Sequence, residues 1–326
     1  MKAVVCKRFG SPDTLVVEEV EAPPCGPGMV RVRVRAAGVN FPDTLIIEGK
    51  YQLRPEPPFS PGAEVAGVIE EVGNGVTGFA PGDRVMAVTG YGGFAGQVVA
   101  DAARVLPIPA TMDFVTAAGF AMTYGTSLHA LRQRGRLAPG ETLLVLGAGG
   151  GVGLAAVELG RVLGARVIAA AGGPEKLAAA RAAGAAELID YRTESVRARL
   201  KELTGGRGVD VVYDPVGGDL FDDALRSLAW KGRLLVIGFA SGRIPQIPAN
   251  LPLLKGADVV GVFWGAFRRQ EPEEDRRNFD DLFTWHAEGR LRPRVARVMA
   301  LEEAPAALNA LLERTVTGKI VLEVAG

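Results

Sequence analysis

The chain changes hydrophobic period twice, and those changes divide it. Met29 to Arg35 alternates strictly, with Val30, Val32 and Val34 on one face and Arg31, Arg33 and Arg35 on the other. Period two predicts a half-buried antiparallel strand. Lys2–Phe9, Leu15–Val20, Ala63–Val72, Arg84–Val88 and Gly96–Val105 continue as short strands. Turn signals such as Gly10-Ser-Pro-Asp13, Gly73-Asn-Gly75 and Pro81-Gly-Asp83 separate them. Residues 1 to about 110 therefore read as a small barrel-like β domain.

From Asp113 to Leu131 the period becomes helical, with glycines at 119 and 125 expected to break it. From Glu141 strands and helices alternate. Strands are predicted near 142–147, 166–171, 186–190, 209–214 and 233–239, and helices near 152–164, 174–183, 195–204 and 219–229. This is the pattern of an α/β, doubly wound parallel sheet. After about 257 the rhythm breaks again: a strand at Val259–Phe263, a polar helix over Glu271–Gly289, β over Leu291–Val298, a helix over Pro305–Arg314 and a last strand at Lys319–Val324. The tail is expected to rejoin the first domain, giving a discontinuous β domain over 1–120 and 262–326 around a nucleotide domain over 121–261.

The centre of the second pattern is Glu141 to Gly153. Leu143–Leu146 is a continuous apolar run, a central strand covered on both faces. A glycine turn follows, and then Leu154, Val157, Leu159, Val162 and Leu163 at helical spacing. With the next run, Arg166–Ala171, this makes a βαβ unit of about thirty residues. Its turn sets bare backbone N–H groups and a helix N-terminus against a phosphate pair. Counted back from Gly153, the fingerprint reads Ala148-x-Gly150-x-x-Gly153, with alanine at the first glycine position. Gly150, Gly151, Val152 and Gly153 are the expected phosphate-facing residues, Gly150 for close approach and Gly153 for helix packing. No Gly-Lys-Ser/Thr follows, which excludes a P-loop.

The second strand ends at Ala169-Ala-Ala-Gly172 without the acid that would bind a ribose 2′-hydroxyl. A carboxylate there repels a 2′-phosphate, so its absence permits NADPH, and Lys176 brings a cation to the next helix start.

Composition narrows the field. In 326 residues, Lys and Arg (37) balance Asp and Glu (37), which argues against a nucleic-acid or anionic-membrane partner. Arg132, Arg134 and Arg136 read as a solvated helix end. Two cysteines, Cys6 and Cys25, and two histidines, His129 and His286, lack metal-ligand spacing. A reduced cytoplasmic protein without signal peptide or membrane span is expected.

With these residues placed, the chain resembles the medium-chain dehydrogenase/reductase superfamily over nearly its whole length, in its zinc-independent quinone oxidoreductase branch. The resemblance is carried by Ala37-Gly-Val-Asn-Phe-Pro-Asp43, Pro61-Gly-Ala-Glu-Val-Ala-Gly67, Gly82-Asp-Arg-Val85, the glycine turn, Val167–Gly172 and Thr317-Gly-Lys-Ile-Val321. It implies a GroES-like catalytic domain, a Rossmann domain, NADPH as cofactor and a homodimer. It also implies that Lys176, Tyr191 and Arg314 contact the 2′-phosphate. Their alternative roles are a solvated helix residue, a packing ring and a helix C-terminal cation. The zinc alcohol dehydrogenases carry Gly-His-Glu where this chain has Gly62-Ala-Glu64, their metal-binding cysteine is replaced within Val39-Asn40-Phe41, and the four-cysteine lobe is missing. No zinc site is expected.

Hydride transfer asks the protein for orientation, dryness and stabilisation of an oxygen gaining charge. The candidates are expected between the domains. Asn40 and Asp43 match polar positions lining the family's nicotinamide pocket. Tyr51 is a donor for a substrate oxygen, Thr123 a contact for the nicotinamide carboxamide, and the segment Phe239–Leu251, with Asn250, a cover for the ring. Each has a structural alternative: Asn40 closes a turn, Asp43 caps a helix, Tyr51 is a rim aromatic and Thr123 bonds its own helix. No nucleophile–base pair supports hydrolysis. The expected function is NADPH-dependent reduction of a small-molecule quinone or other activated conjugated carbonyl, without zinc. The alternatives are a 2-alkenal, enone or enoyl-thioester reductase and an NADPH-binding structural or sensory protein.

Overall fold

The computed structural model describes residues 1–324. The chain forms two compact units, Met1–Met122 with Pro293 onward, and Thr123–Arg292.

The first unit opens with the hairpin β1 (Lys2–Val5) and β2 (Val16–Glu19). The long strand β3 (Met29–Val39) follows, then helix α1 (Phe41–Ile47), β4 (Glu64–Val72), β5 (Arg84–Val88), β6 (Gln97–Asp101), β7 (Val105–Pro107) and α2 (Phe114–Ala118). The chain leaves this unit within α3 (Ala121–His129). β3 outruns the alternating stretch because Ala36–Val39 are buried on both faces, where small and β-branched residues fit.

In the second unit β8 (Thr142–Leu146), α4 (Gly151–Val162), β9 (Arg166–Ala171), α5 (Pro174–Ala182), β10 (Glu187–Asp190), α6 (Val196–Leu203), β11 (Val209–Asp214), α7 (Asp219–Arg226) and β12 (Leu228–Val236) alternate. Then come α8 (Asn250–Lys255), β13 (Asp258–Gly261), α9 (Trp264–Gln270) and α10 (Pro272–Ala287). The chain returns to the first unit with β14 (Val295–Ala300), α11 (Ala304–Leu312) and β15 (Lys319–Glu323).

The six strands of the second unit form one parallel sheet in the order β10-β9-β8-β11-β12-β13. The order reverses next to β8, the switch point at which doubly wound sheets bind ligands. The first unit holds a seven-stranded sheet ordered β14-β15-β3-β4-β5-β7, with β6 also paired to β3. β3 thus lies beside three strands, and its C-terminal end, Ala36–Val39, pairs with β15 from the returning tail.

Three local expectations change. Gly125 does not break a helix: α3 runs through it. A Cβ there would stand 2.5 Å from the Trp264 ring, so the glycine admits that indole. β12 starts at Leu228, with a register shift against β11 and Lys231 at φ 60°. The second unit ends at Arg292 rather than 261, because α9 and α10 pack on it. His129 stacks on Phe267 with centroids 3.9 Å apart, Trp264 Nε1 donates to Asp275 at 2.8 Å, and Gln133 Nε2 donates to Asn278 at 3.0 Å. Burial pushes the His129 imidazole down to about 4, so it stays neutral against Phe267. Among the described residues no helix is long and apolar enough to cross a membrane.

Candidate functional site

In the second unit the end of β8 delivers the glycine turn. Gly147 takes φ +60°, and a Cβ on Gly153 would stand 2.2 Å from the Gly147 carbonyl oxygen. Gly153 is therefore required for α4 to close on the turn. Gly150 is different. It is the N-cap of α4, and a Cβ there would meet nothing nearer than Gly147 O at 3.6 Å. Its open side, with the first-turn amides of Gly151, Val152 and Gly153, makes a cradle of the kind that holds a pyrophosphate. This is the site's fit to a dinucleotide: room beside Gly150 at the N-terminus of α4, whose first-turn N–H groups lack partners within the helix.

Lys176, in the first turn of α5, lays its aliphatic stem across the turn. A Cβ on Gly149 would stand 2.5 Å from Lys176 Cβ. At the end of β9, a Cβ on Gly172 would touch Tyr191 Cε2 at 2.9 Å, and one on Gly173 the Arg192 guanidinium at 2.8 Å. Asp190 Oδ1 accepts the Gly173 and Arg192 backbone N–H groups at 3.1 and 3.0 Å, which sets the corner. Lys176, Tyr191 and Arg192 thus gather at the strand end where an acid would read a ribose hydroxyl. Sequence reasoning missed Arg192; its signal was a second cation beside Tyr191. Phe239 lies over Gly217, whose Cβ would be 3.1 Å from its ring, and Asn250 is exposed at the first position of α8. Thr123 is 3% exposed near the start of α3.

In the first unit a buried polar cluster sits where β3 ends and α1 begins. The Asn40 N–H donates to Asp43 Oδ2 at 2.8 Å, and the Ala63 N–H to Asp43 Oδ1 at 3.1 Å. Asp43 thereby holds the start of α1 and ties it to the segment before β4. The Asn40 amide is engaged within the protein. Its Nδ2 donates to Gly38 O at 3.2 Å and Glu64 Oε2 at 3.1 Å, and its Oδ1 accepts from Lys319 Nζ. Lys319 lies 3.2 Å from Glu64 Oε2 and also donates to Val39 O at 3.0 Å. Glu64 Oε1 accepts the Met122 N–H at 2.8 Å. Close approach is built in: a Cβ on Gly38 would stand 2.0 Å from Ala118 O and 2.7 Å from Glu64 Oε2. Sequence reasoning missed Glu64 and Lys319. Each is a charge embedded in an apolar strand, which was the available signal.

Burial pushes the Asp43 carboxyl up to about 7, against the Asn40 and Ala63 N–H groups and the Lys319 cation, which lower it. Tyr51 is half-buried on the core of this unit. Burial first, and then the Asp43 charge, raises its phenol, so it is a donor at neutral pH. Arg314 belongs to this first unit, just past α11, with φ +58°. Ala63 stands where the zinc alcohol dehydrogenases carry histidine. Among the described residues no three His, Cys, Asp or Glu side chains gather as a metal-ligand group.

A doubly wound unit with a glycine turn after its switch-point strand, joined in the chain to a β unit with a buried polar corner, defines the two-domain class of medium-chain dehydrogenases/reductases. Residues 26–110 match the alcohol dehydrogenase GroES-like domain, and residues 151–281 the domain described as zinc-binding dehydrogenase. The quinone oxidoreductase-like protein 2 homolog of Nematostella vectensis is 41% identical, over 98% of this chain and 88% of its own length. The 2-haloacrylate reductase of a Burkholderia species is 36% identical, over 99% and 98%. The crystal structure of Escherichia coli quinone oxidoreductase complexed with NADPH superposes with a TM-score of 0.94 at 30% identity, covering 99% of this chain and all (100%) of that one. The chain belongs to the quinone oxidoreductase family of the medium-chain dehydrogenases/reductases, and by class it is an oxidoreductase.

Proposed function

We propose that this protein is an NADPH-dependent reductase of quinones or other activated conjugated carbonyls that works without zinc. The observation that carries the reading is the end of β9, where the strand itself carries no acid and Lys176, Tyr191 and Arg192 stand against Gly149, Gly172 and Gly173. The neighbouring Asp190 carboxylate is taken up by the Gly173 and Arg192 backbone N–H groups and lies 4.0 Å from Arg192 Nε. Two cations and a phenol at that corner suit a 2′-phosphate, which a bidentate guanidinium and an ammonium recognise by charge.

Bound NADPH supplies a hydride from C4 of its dihydronicotinamide. The chain's own residues bind, orient and donate. Gly150–Gly153 hold the pyrophosphate, and Lys176, Tyr191 and Arg192 hold the 2′-phosphate. Asn40 and Asp43 act as the frame of the β3–α1 corner, since their polar atoms are used inside the protein. Tyr51, a phenol that burial raises further above neutral pH, donates to the acceptor oxygen as it gains charge. Thr123, Phe239 and Asn250 complete the nicotinamide surroundings in this reading, and Arg314 assists at the 2′-phosphate. Zinc independence is supported by residue chemistry. A methyl group replaces the imidazole ligand at Ala63, and the neighbouring Glu64 carboxylate is already paired with the Lys319 ammonium at 3.2 Å.

The name of the Burkholderia relative supports a second reading within the same chemistry, an electron-poor alkene as acceptor. The two free cysteines suit the cytoplasm. Strand β13 is an edge of the parallel sheet and is followed by the exposed Phe263, which supports a homodimer joined edge to edge.

The test is NADPH oxidation, followed by absorbance, against quinones, enals, enones and halogenated acrylates, with NADH and a chelator as controls. Turnover of a conjugated carbonyl that survives the chelator supports the reading. Tight NADPH binding with every acceptor silent overturns it in favour of a binding protein.

A further inference from the structure

The chain passes between its units twice, at Met122–Thr123 and at Arg292–Pro293. In the nucleotide-binding unit, both passages lead to one side chain. Glu158 sits on α4, the helix whose N-terminus forms the phosphate cradle, and is 6% exposed. Its Oε2 accepts the hydroxyl of Tyr124 at 2.6 Å, two residues past the first passage. Its two carboxylate oxygens also accept the backbone N–H of Arg292 at 3.1 and 3.2 Å, at the last residue before the second passage. Arg290 adds a bond from its guanidinium to Val162 O, on the same helix, at 3.3 Å.

A carboxylate is costly here. Leu154, Ala155, Ala156, Val157, Leu159 and Gly160 around it are buried, and packing alone favours an apolar side chain. What Glu158 provides that leucine does not is acceptors for two separate stretches of chain. In the other unit Glu64 does the corresponding task for the first passage, accepting the Met122 N–H at 2.8 Å.

We propose that Glu158 is a positioning residue. It fastens both points where the chain enters and leaves the nucleotide-binding unit to the cofactor helix, so that helix and connections hold one geometry. Misplacement of a supporting residue far from the chemistry costs alignment of the reacting atoms. The kinetic consequence rests on the reductase reading. Hydrogen exchange and NADPH binding do not depend on it, so the two ideas can fail separately.

The experiment compares Glu158→Leu and Glu158→Gln by three readouts: exchange of the 290–292 amides, NADPH dissociation constant and kcat. Leucine fills the space without an acceptor. Glutamine keeps an acceptor for Arg292 N–H and turns its amide to the Tyr124 oxygen. For Glu158→Leu we expect faster exchange at 290–292, NADPH affinity within about threefold and kcat down by roughly tenfold or more. Glu158→Gln should stay near wild type in all three. If Glu158→Leu does not fold, Tyr124→Phe carries the test, with faster exchange at 122–126 and a severalfold loss of kcat at unchanged affinity. The proposal is overturned by unchanged exchange in a folded Glu158→Leu or Tyr124→Phe protein. It is also overturned if kcat and affinity fall by the same factor, which places the role inside the cofactor site.

Discussion

The ammonium of Lys319 lies 3.2 Å from the carboxylate of Glu64, and their side chains are only 7% and 0% exposed. The pair joins the first residue of β4 to the first residue of β15, either side of β3. Its remaining valences go to Asn40, Val39 and Met122. Removing one partner strands a buried charge. Lys319→Met should destabilise the protein by roughly 3–5 kcal/mol, measured by urea unfolding, and Lys319→Met with Glu64→Gln should recover part of that loss.

Asp43 sets the pH dependence of the same corner. Its folded-state pKa, about 7, lies above the ordinary value of 3.8. Between those values the native state binds the extra proton. The contribution is therefore fully present below the lower value and is lost as pH rises toward the upper one. Comparing wild type with Asp43→Asn by urea unfolding, the difference should move against wild type across that window, with a slope of at most about 1.4 kcal/mol per pH unit. A flat difference would remove Asp43 as the group responsible.

The glycine turn separates folding from binding. Gly153→Ala forces a methyl group to 2.2 Å from Gly147 O, so it should lose stability by about 2 kcal/mol or more. Gly150→Ala meets no protein atom nearer than 3.6 Å at an ordinary φ of −85°. That protein should melt within about 1 kcal/mol of wild type yet bind the dinucleotide at least roughly tenfold more weakly. Calorimetric melting beside a binding titration checks both halves.

Tyr51 is the donor whose loss should show in turnover. Tyr51→Phe should lower kcat by about tenfold or more, with a smaller change in NADPH affinity. Unchanged turnover would reduce Tyr51 to a packing ring.

Much of this was legible in the chain itself, for a physical reason. The strands Thr142–Leu146, Arg166–Ala171 and Val209–Asp214 follow their apolar runs closely because they are almost wholly buried, while the edge strand Glu187–Asp190 is only partly so. What escaped depended on partners distant in sequence. Gly125 reads as a helix breaker until Trp264 is seen against it, and the unit boundary moves to Arg292 because α9 and α10 pack onto α3. Glu64 and Lys319 each look misplaced in an apolar strand, and only β3 between them makes them a pair. Asn40 and Asp43 were expected to line a pocket. In the structure Asn40 is the N-cap of α1 and Asp43, at its third position, accepts the Asn40 N–H, while the Asn40 amide bonds Gly38 and Glu64.

The central claim is that the corner at Lys176, Tyr191 and Arg192 selects NADPH for a zinc-free reductase. The most direct test is kcat/KM for NADPH and for NADH with one quinone acceptor, in chelator-treated wild type, Lys176→Glu and Arg192→Glu. The account predicts that wild type prefers NADPH, and that each substitution cuts kcat/KM for NADPH by roughly tenfold or more while NADH changes little. Equal losses with both cofactors, or activity that vanishes with the chelator and returns with zinc, would contradict it.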